Sequence, residues 1–483
     1  MPTPLSAPAR VLLLLLLSCQ FAASGLGASP SWQERHDQLV ARLRALTKME
    51  DAFGPAYQPL YHAALPWYEL WGGRTQHAVD DWMVPPADYA AELADALEHG
   101  RNYIAENPAA LLPLVFEVKL PDGSTTSTNY WLSLPTGFPE SGRKYPLVVG
   151  LHGSGWLGHP LSFVRQSRGS VAVRRTFGVT PINEAGSWQI EFLNAYLDRL
   201  LQILPVDRDH IYVEGHSLGG MATWEWALNN PERFAAISPR AGIGEPYRAS
   251  RLKNVPAWVI HGSNDDVVST GYADQMVIAL ESCGASVRYS VLPGVPHNMP
   301  EDLDQEQVVD WYLRQTRNPA PPPADPRDAL GLPSAGFSLW DVVASPGGRF
   351  WPTDLQGRMS HEAVRSTEQT LFKKAHDLGL QVDAPVLQQH NLKTHAVRFW
   401  LAAPKTLHAD PRINSTTVTL PAARYVRFYF RGPTQHALEH LATVMAEATA
   451  AGHRLRAETV WITPLSLWRE SSTAIAEYRV ETE

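Results

Sequence analysis

The spacing of apolar residues divides the chain into stretches of different character. From 31 to about 108, Leu39, Leu43 and Leu46 recur at helical spacing, and a second helical run extends from Tyr89 to Ile104. No motif that carries chemistry falls here. The segment is expected to pack on the next domain or to shape its entrance. From 109 to 316 short apolar runs alternate with helical stripes. Leu111–Leu120, Asn129–Leu134, Pro146–His152, His210–Glu214, Pro256–His261 and Val287–Leu292 read as strands. Between them, Phe192, Leu193, Tyr196, Leu197, Leu200, Leu201 and Leu204 form one stripe over 188–204. Met276, Val277 and Leu280 lie on one face of Tyr272–Cys283, which Gly284 closes as a C-cap. Strands alternating with helices predict an α/β fold: a mostly parallel sheet with helices on both faces.

The stretch 317–330 is Pro-rich and aperiodic, which predicts a stiff, extended spacer at a domain boundary. Beyond it, 331–483 contains two similar halves, each a strand, a helix ended by glycine, and two more strands. The first helix, near 362–378, gathers Val364, Leu371, Ala375 and Leu378 and stops at Gly379. The second, near 434–451, gathers Leu438, Leu441 and Met445 and stops at Gly452. A duplicated α+β (βαββ) domain is expected.

One motif stands out from these patterns. A strand runs into Gly215-His216-Ser217-Leu218-Gly219, and a helical run comes next. Gly-x-Ser-x-Gly in that context is a nucleophile elbow, a turn so tight that side chains two positions either side of the serine would collide. The helix after it points its N-terminal N–H groups and positive dipole end at the site. A serine hydroxyl needs a base to take its proton, and the base needs an acid to orient it. Both are expected C-terminal to the serine. His261-Gly-Ser-Asn-Asp-Asp-Val-Val268 closes one strand, and the pattern His-Gly-x-x-Asp-x-x-Val selects Asp265 as the acid, with Asp266 the neighbouring alternative. His297 lies just beyond the next strand and is the candidate base. Two backbone N–H groups are needed for the oxyanion. One is that of Leu218; the other comes from the turn His152-Gly153-Ser154-Gly155-Trp156, with Ser154 first and Gly155 second. His152 and His216 are expected to be structural. This chemistry requires no metal and no cofactor.

Composition adds three points. The net charge of −8 shows no basic excess, which removes the reason to expect a nucleic-acid partner. Sixteen tryptophans are more than usual; Trp156, Trp188 and Trp224 are candidates for pocket walls or for core. Residues 1–28 read as an export signal: Arg10, the apolar run Val11–Leu17, then Ala22, Ala23, Ser24 and Gly25. Leu16-Leu17-Ser18-Cys19 also resembles a lipoprotein box, in which Cys19 would carry a lipid anchor; cleavage after Gly25 or Ala28 is the rival. With Cys19 in the signal, Cys283 is left alone and is expected to be a small core residue. An extracytoplasmic location is expected, periplasmic, secreted or lipid-anchored.

Residues from about 129 to 315 resemble the bacterial phospholipase/carboxylesterase and polyhydroxybutyrate-depolymerase-like esterases, close to the prolyl oligopeptidase-type hydrolases. The stretches that carry this are LPTGFPESGRKYPLVVGLHGSG, VDRDHIYVEGHSLGGMATWEWALNNPERFAAI and PAWVIHGSNDDVV, with PHN around His297. The resemblance implies the α/β-hydrolase fold and an acyl-enzyme mechanism on a small-molecule or polymeric ester. The stretch 156–187 departs from the family's patterns, and the resemblance implies no substrate preference. A peptidase of the prolyl oligopeptidase type is the alternative, though no propeller repeats are present.

Residues 337–483 are similar to the effector-binding domain of drug-sensing regulators, the gyrase-inhibitor-like or SOUL fold, through TLPAARYVRFYFRGP, AGHRL, AETVWITP and STAIAEYRVE. That resemblance implies a second small-molecule ligand, cationic or amphipathic, held by Glu458 in an aromatic pocket beside Trp461. Val460 stands where the family usually has Tyr, and Glu458 as a solvated strand residue is the other reading. No helix-turn-helix precedes the domain. A sensor in which the hydrolase domain is only a scaffold is a further alternative.

Overall fold

The computed structural model describes residues 31–49, 51–71, 86–108, 111–140, 142–154, 175–182, 188–299, 305–330, 332, 336–382, 384–432, 434–465 and 474–483. The export signal, the lipoprotein box, Gly155 and Trp156 lie outside them.

Eight strands form the first sheet: β1 (Leu112–Lys119), β2 (Thr125–Ser133), β3 (Tyr145–Leu151), β4 (Phe177–Pro181), β5 (Val206–His216), β6 (Ala236–Arg240), β7 (Ala257–Gly262) and β8 (Val287–Leu292). Their order is β1-β2-β4-β3-β5-β6-β7-β8. The β1–β2 and β2–β4 pairs are antiparallel, and every pair from β4 to β8 is parallel. This is the α/β-hydrolase fold. Alternation along β5 shows how both faces are buried. Ile211 and Val213 join the core beneath the helices Ile190–Ile203, Leu218–Asn229 and Thr270–Ser282, while Tyr212 faces the helix Gln305–Tyr312. The N-terminal helices, chiefly Trp32–Ala45, Gln58–Ala64 and Pro86–Glu98, share the first of these cores. They meet the sheet at its antiparallel end, where Trp67 Nε1 donates to Asn129 Oδ1 at 2.8 Å.

The Pro-rich stretch does not stand clear as a spacer. Arg248, 1% exposed, donates to Asp325 Oδ2 at 3.0 and 2.6 Å, and Arg251 donates to the Pro323 carbonyl at 2.7 Å. These contacts staple the connection along the hydrolase domain.

The second sheet is wholly antiparallel and contains β9 (Gly336–Phe337), β10 (Asp341–Ser345), β11 (Gly348–Asp354), β12 (Leu387–Asn391), β13 (Val397–Ala402), β14 (Val418–Leu420), β15 (Ala423–Arg431), β16 (Leu455–Pro464) and β17 (Ile475–Thr482). Its order is β10-β15-β17-β16-β12-β13-β11-β14, with β9 beside β15. The helix His361–His376 comes after β11 and the helix Thr434–Ala450 after β15. The order β15-β17-β16 therefore mirrors β11-β13-β12, and the two βαββ halves meet where β16 pairs with β12. Registers across the sheet put Trp351, Phe399, Ile462, Tyr478 and Phe428 on one face, and both helices cover that face.

Candidate active site

The end of β5 fixes the geometry of the elbow. Ser217 has φ 56° and ψ −118°, a strained conformation that pushes its side chain clear of the sheet. A Cβ on Gly215 would collide with the Gly219 backbone, and one on Gly219 with the Leu151 carbonyl; this is why both positions are glycine. The turn closes through Ser217 N–H, which donates to the Arg240 carbonyl at 2.9 Å. Beneath it lies a buried ion pair. Arg240 Nη2 meets Glu214 Oε2 at 2.9 Å, and the Tyr312 hydroxyl donates to the same oxygen at 2.9 Å. Charges buried this deeply are costly unless paired and hydrogen-bonded, and here each has partners.

The other two side chains arrive from strand ends. His297 comes after β8 and Asp265 after β7. His297 Nε2 is 2.9 Å from Ser217 Oγ, and His297 Nδ1 is 2.8 and 3.0 Å from the two oxygens of Asp265. The structure thus brings together Ser217, His297 and Asp265 in a continuous hydrogen-bonded chain. The neighbouring Asp266 is exposed and is not part of it. The Asp265 carboxylate is fully buried. Burial alone would raise its pKa, but hydrogen bonds from His261, His297 and the Val268 N–H outweigh this and hold it well below the usual carboxylate range. The Val267 and Val268 N–H groups both donate to Oδ1, at 2.9 and 2.7 Å. An ionised acid touching Nδ1 keeps the proton there and leaves Nε2 able to accept one from serine.

Two further histidines support this chain, and the sequence motif did not show how. His261 Nε2 lies 3.2 Å from Asp265 Oδ2 and 2.8 Å from the Val268 carbonyl, so it braces the acid from below. His216 Nε2 donates to the backbone carbonyl of His297 at 2.7 Å, tying the residue before Ser217 to the loop that carries His297. Burial, aided by repulsion from His297, pushes the His216 pKa down to about 4. It is therefore neutral and a fixed donor at physiological pH.

The turn after β3 lies against Ser217: a Cβ on Gly153 would sit 3.2 Å from that of Ser217. Trp188 is buried, and its Nε1 donates to the His152 carbonyl at 3.1 Å while its ring packs 4.8 Å from the imidazole. It is a brace for this turn. Trp224 is 1% exposed and belongs to the core. Ser154 sits after Gly153 at the exposed edge, and Leu218 opens the helix after the nucleophile. Among the described residues no group of three or more His, Cys, Asp or Glu could hold a metal ion.

The ligand site expected in the second domain is not formed by the residues named for it. Glu458 has a side chain 63% exposed and pairs with Lys393 on the surface. The register of β16 against β17 shifts between Leu455 and Val460, and that irregularity turns Glu458 outward. Trp461 is buried instead, packed 5.9 Å from Trp400, so the carboxylate and the indole do not share a pocket.

No family model matches the chain. A protein named as an esterase, NocK, from Nocardia uniformis is 25% identical over 250 residues, 46% of this chain and 70% of its own. The uncharacterised peptidase YuxL of Bacillus subtilis is 23% identical over 223 residues, 35% of this chain and 33% of its own. The crystal structure of a thermostable esterase shares 29% identity at a TM-score of 0.37, covering 42% of this chain and 63% of that one. The chain thus spans only a third of YuxL and less than two thirds of the solved esterase. The sequence relatives support a hydrolase of the α/β-hydrolase superfamily.

Proposed function

We propose that the chain is an exported serine hydrolase that cleaves carboxylic esters through an acyl-enzyme, with Ser217 as nucleophile, His297 as base and Asp265 as orienting acid. The single observation that carries this reading is the hydrogen-bonded chain Ser217–His297–Asp265 mounted on a strained elbow. Ser217 Oγ attacks the acyl carbonyl as its proton passes to His297 Nε2. The imidazolium so formed is stabilised by Asp265, and the oxyanion by the N–H groups of Leu218 and Ser154. His297 then gives the proton to the leaving alcohol. Water enters, loses a proton to His297 and releases the acid, restoring Ser217. Each step is proton transfer and acyl transfer, and the side chains named supply both.

The elbow alone does not separate esters from amides, and the likeness to YuxL keeps a peptidase as the second reading. Export rests on residues 1–28 and is tested by the N-terminal mass of the mature protein. For the reaction, the purified protein and Ser217→Ala are treated with a fluorophosphonate probe and assayed on p-nitrophenyl esters of increasing acyl length beside aminoacyl p-nitroanilides. Labelling confined to the wild type, with turnover of esters, supports the proposal. Turnover of anilides alone supports the peptidase. A folded wild type that takes no label would remove the serine-hydrolase reading and turn attention to a sensor.

A further inference from the structure

The turn that carries Asp265 is held by the second domain as well as by its own. Gln369 lies on the helix His361–His376, half-buried, and its Nε2 reaches the carbonyl oxygens of Asp266 at 2.9 Å and Val267 at 2.7 Å. Two carbonyls can be met at once only by the NH2 end of a glutamine, which has two hydrogens to give. The peptide units involved are informative. The Asp266 carbonyl belongs to the same amide as the Val267 N–H, and the Val267 carbonyl to the same amide as the Val268 N–H. Those two N–H groups are the ones that donate to Asp265 Oδ1 at 2.9 and 2.7 Å. Both amides are therefore clamped between Gln369 on one side and the triad acid on the other. A donor on the carbonyl of an amide polarises it and strengthens donation by its N–H.

The helix that presents Gln369 is itself seated on the hydrolase domain along the helix Thr270–Ser282. Gly271 faces the Phe372 ring so closely that any side chain there would overlap it, and the Tyr272 and Phe372 rings pack edge to face 4.8 Å apart. Next to them Tyr272 donates to Glu368. His376 meets Asp274 at 2.7 Å and Thr270 at 2.7 Å, with Asp274 almost fully buried. The contact thus combines apolar filling with paired polar groups and holds Gln369 in register with the acid turn.

We infer that Gln369 is a positioning residue for catalysis: from the second domain it orients and polarises the two amides that hold the Asp265 carboxylate. This rests on the serine-hydrolase reading above. It gives the C-terminal domain a part in the active site that needs no ligand of its own.

The test compares Gln369→Met, which keeps length but gives no donor, with Gln369→Glu, which turns carboxylate oxygens toward the two carbonyls, and Gln369→Lys, which still donates. All are made in the full chain, with thermal melts to establish folding. The readouts are the rate of fluorophosphonate labelling at Ser217, kcat and KM on an ester the wild type turns over, and deuterium exchange in the peptide containing Val267 and Val268. Positioning predicts a roughly tenfold loss in labelling rate and kcat for Met, the scale of one lost polar contact. It predicts a greater loss for Glu, near wild-type rates for Lys, little change in KM, and faster exchange at the acid turn in Met and Glu. A steric role would instead rank Glu, the isostere, close to wild type. Equal labelling rates in all variants, or Glu better than Met, would overturn the inference. A wild type that takes no label at all would overturn the reading on which it rests, whatever the exchange data show.

Discussion

The serine and its acid sit about one imidazole apart, yet they are supported in different ways. The elbow around Ser217 is built from one domain: glycines where Cβ atoms would collide, the Arg240 carbonyl on the Ser217 N–H, and the Arg240–Glu214–Tyr312 cluster beneath. The acid turn is braced by His261 from its own sheet and by Gln369 from another. Backbone packing makes the elbow rigid, whereas the acid turn depends on hydrogen bonds that a neighbouring domain completes. A local site can therefore belong partly to a domain that shares none of its sequence motif.

The largest test of that contrast is at the acid itself. Asp265→Asn should fold normally, because an amide fills the same space, yet presents an NH2 to His297 Nδ1 and favours the wrong tautomer. Loss of kcat by about ten thousandfold is expected, measured on the best ester; a loss below tenfold would mean that Asp265 is not the orienting acid. Next comes the elbow's foundation. Arg240→Met takes the guanidinium away from the buried Glu214 carboxylate and keeps the Tyr312 hydroxyl on it, and about 3–5 kcal/mol of stability should be lost by urea unfolding. Acyl transfer in the fraction still folded should fall with it, since the lost ion pair anchors the residue whose main-chain carbonyl closes the serine turn.

Acid supplies the third test, through the link between elbow and base. His216 is neutral in the fold with its pKa at about 4, while in the unfolded chain it titrates near the ordinary 6.5. Between these values the unfolded state binds the additional proton, so stability falls as pH drops from 6.5 toward 4 and is fully present above 6.5. The contribution is on the order of 3 kcal/mol. His216→Gln should flatten the dependence of the melting temperature on pH over that window; an unchanged slope would assign the acid sensitivity elsewhere. The smallest effect is expected at the linker. Asp325→Asn weakens the staple to Arg248, which keeps Glu245 at 3.0 Å, so a loss of about 1–2 kcal/mol is expected. Deuterium exchange should rise in the linker and at the C-terminal end of the helix Leu218–Asn229, where Arg248 and Arg251 also hold the Leu228 carbonyl, but not at the elbow itself; a rise at the elbow would blur the distinction between the two supports.

The hydrogen-bonded chain Ser217–His297–Asp265 was legible in the sequence for a physical reason. A nucleophile elbow demands small residues at fixed positions, and parallel strands deliver the loops after them to one end, so Ser217, Asp265 and His297 each sit just past an apolar run. Two strands lacked that signal. Phe177–Pro181 ends in Thr180 and Pro181, and Ala236–Arg240 carries Ser238, Pro239 and Arg240; these residues are buried within the sheet, so periodicity does not mark them. Pairing partners were less legible still. Gln369 shows only as a polar position on an amphipathic helix, and its partners are main-chain carbonyls 102 and 103 residues away, which no side-chain pattern announces. Glu458 erred in the opposite direction: a resemblance placed it in a pocket, and one irregularity in strand register sends it to solvent. The helices of the duplicated domain were placed well because Gly379 and Gly452, both with positive φ, end them where the apolar stripes stop.

The seating of Gln369 also bears on the order in which the molecule is finished. Synthesis runs from the N-terminus, so the parts that support Ser217 are complete once Tyr312 has been made, while the clamp on the acid turn awaits a helix that ends at His376. On that reading a nascent chain holds Ser217 in place before the acid turn is fully tightened. On the proposed role of Gln369, full hydrolytic competence would mark a chain whose second domain has folded and docked, and catalysis would become a reporter of assembly.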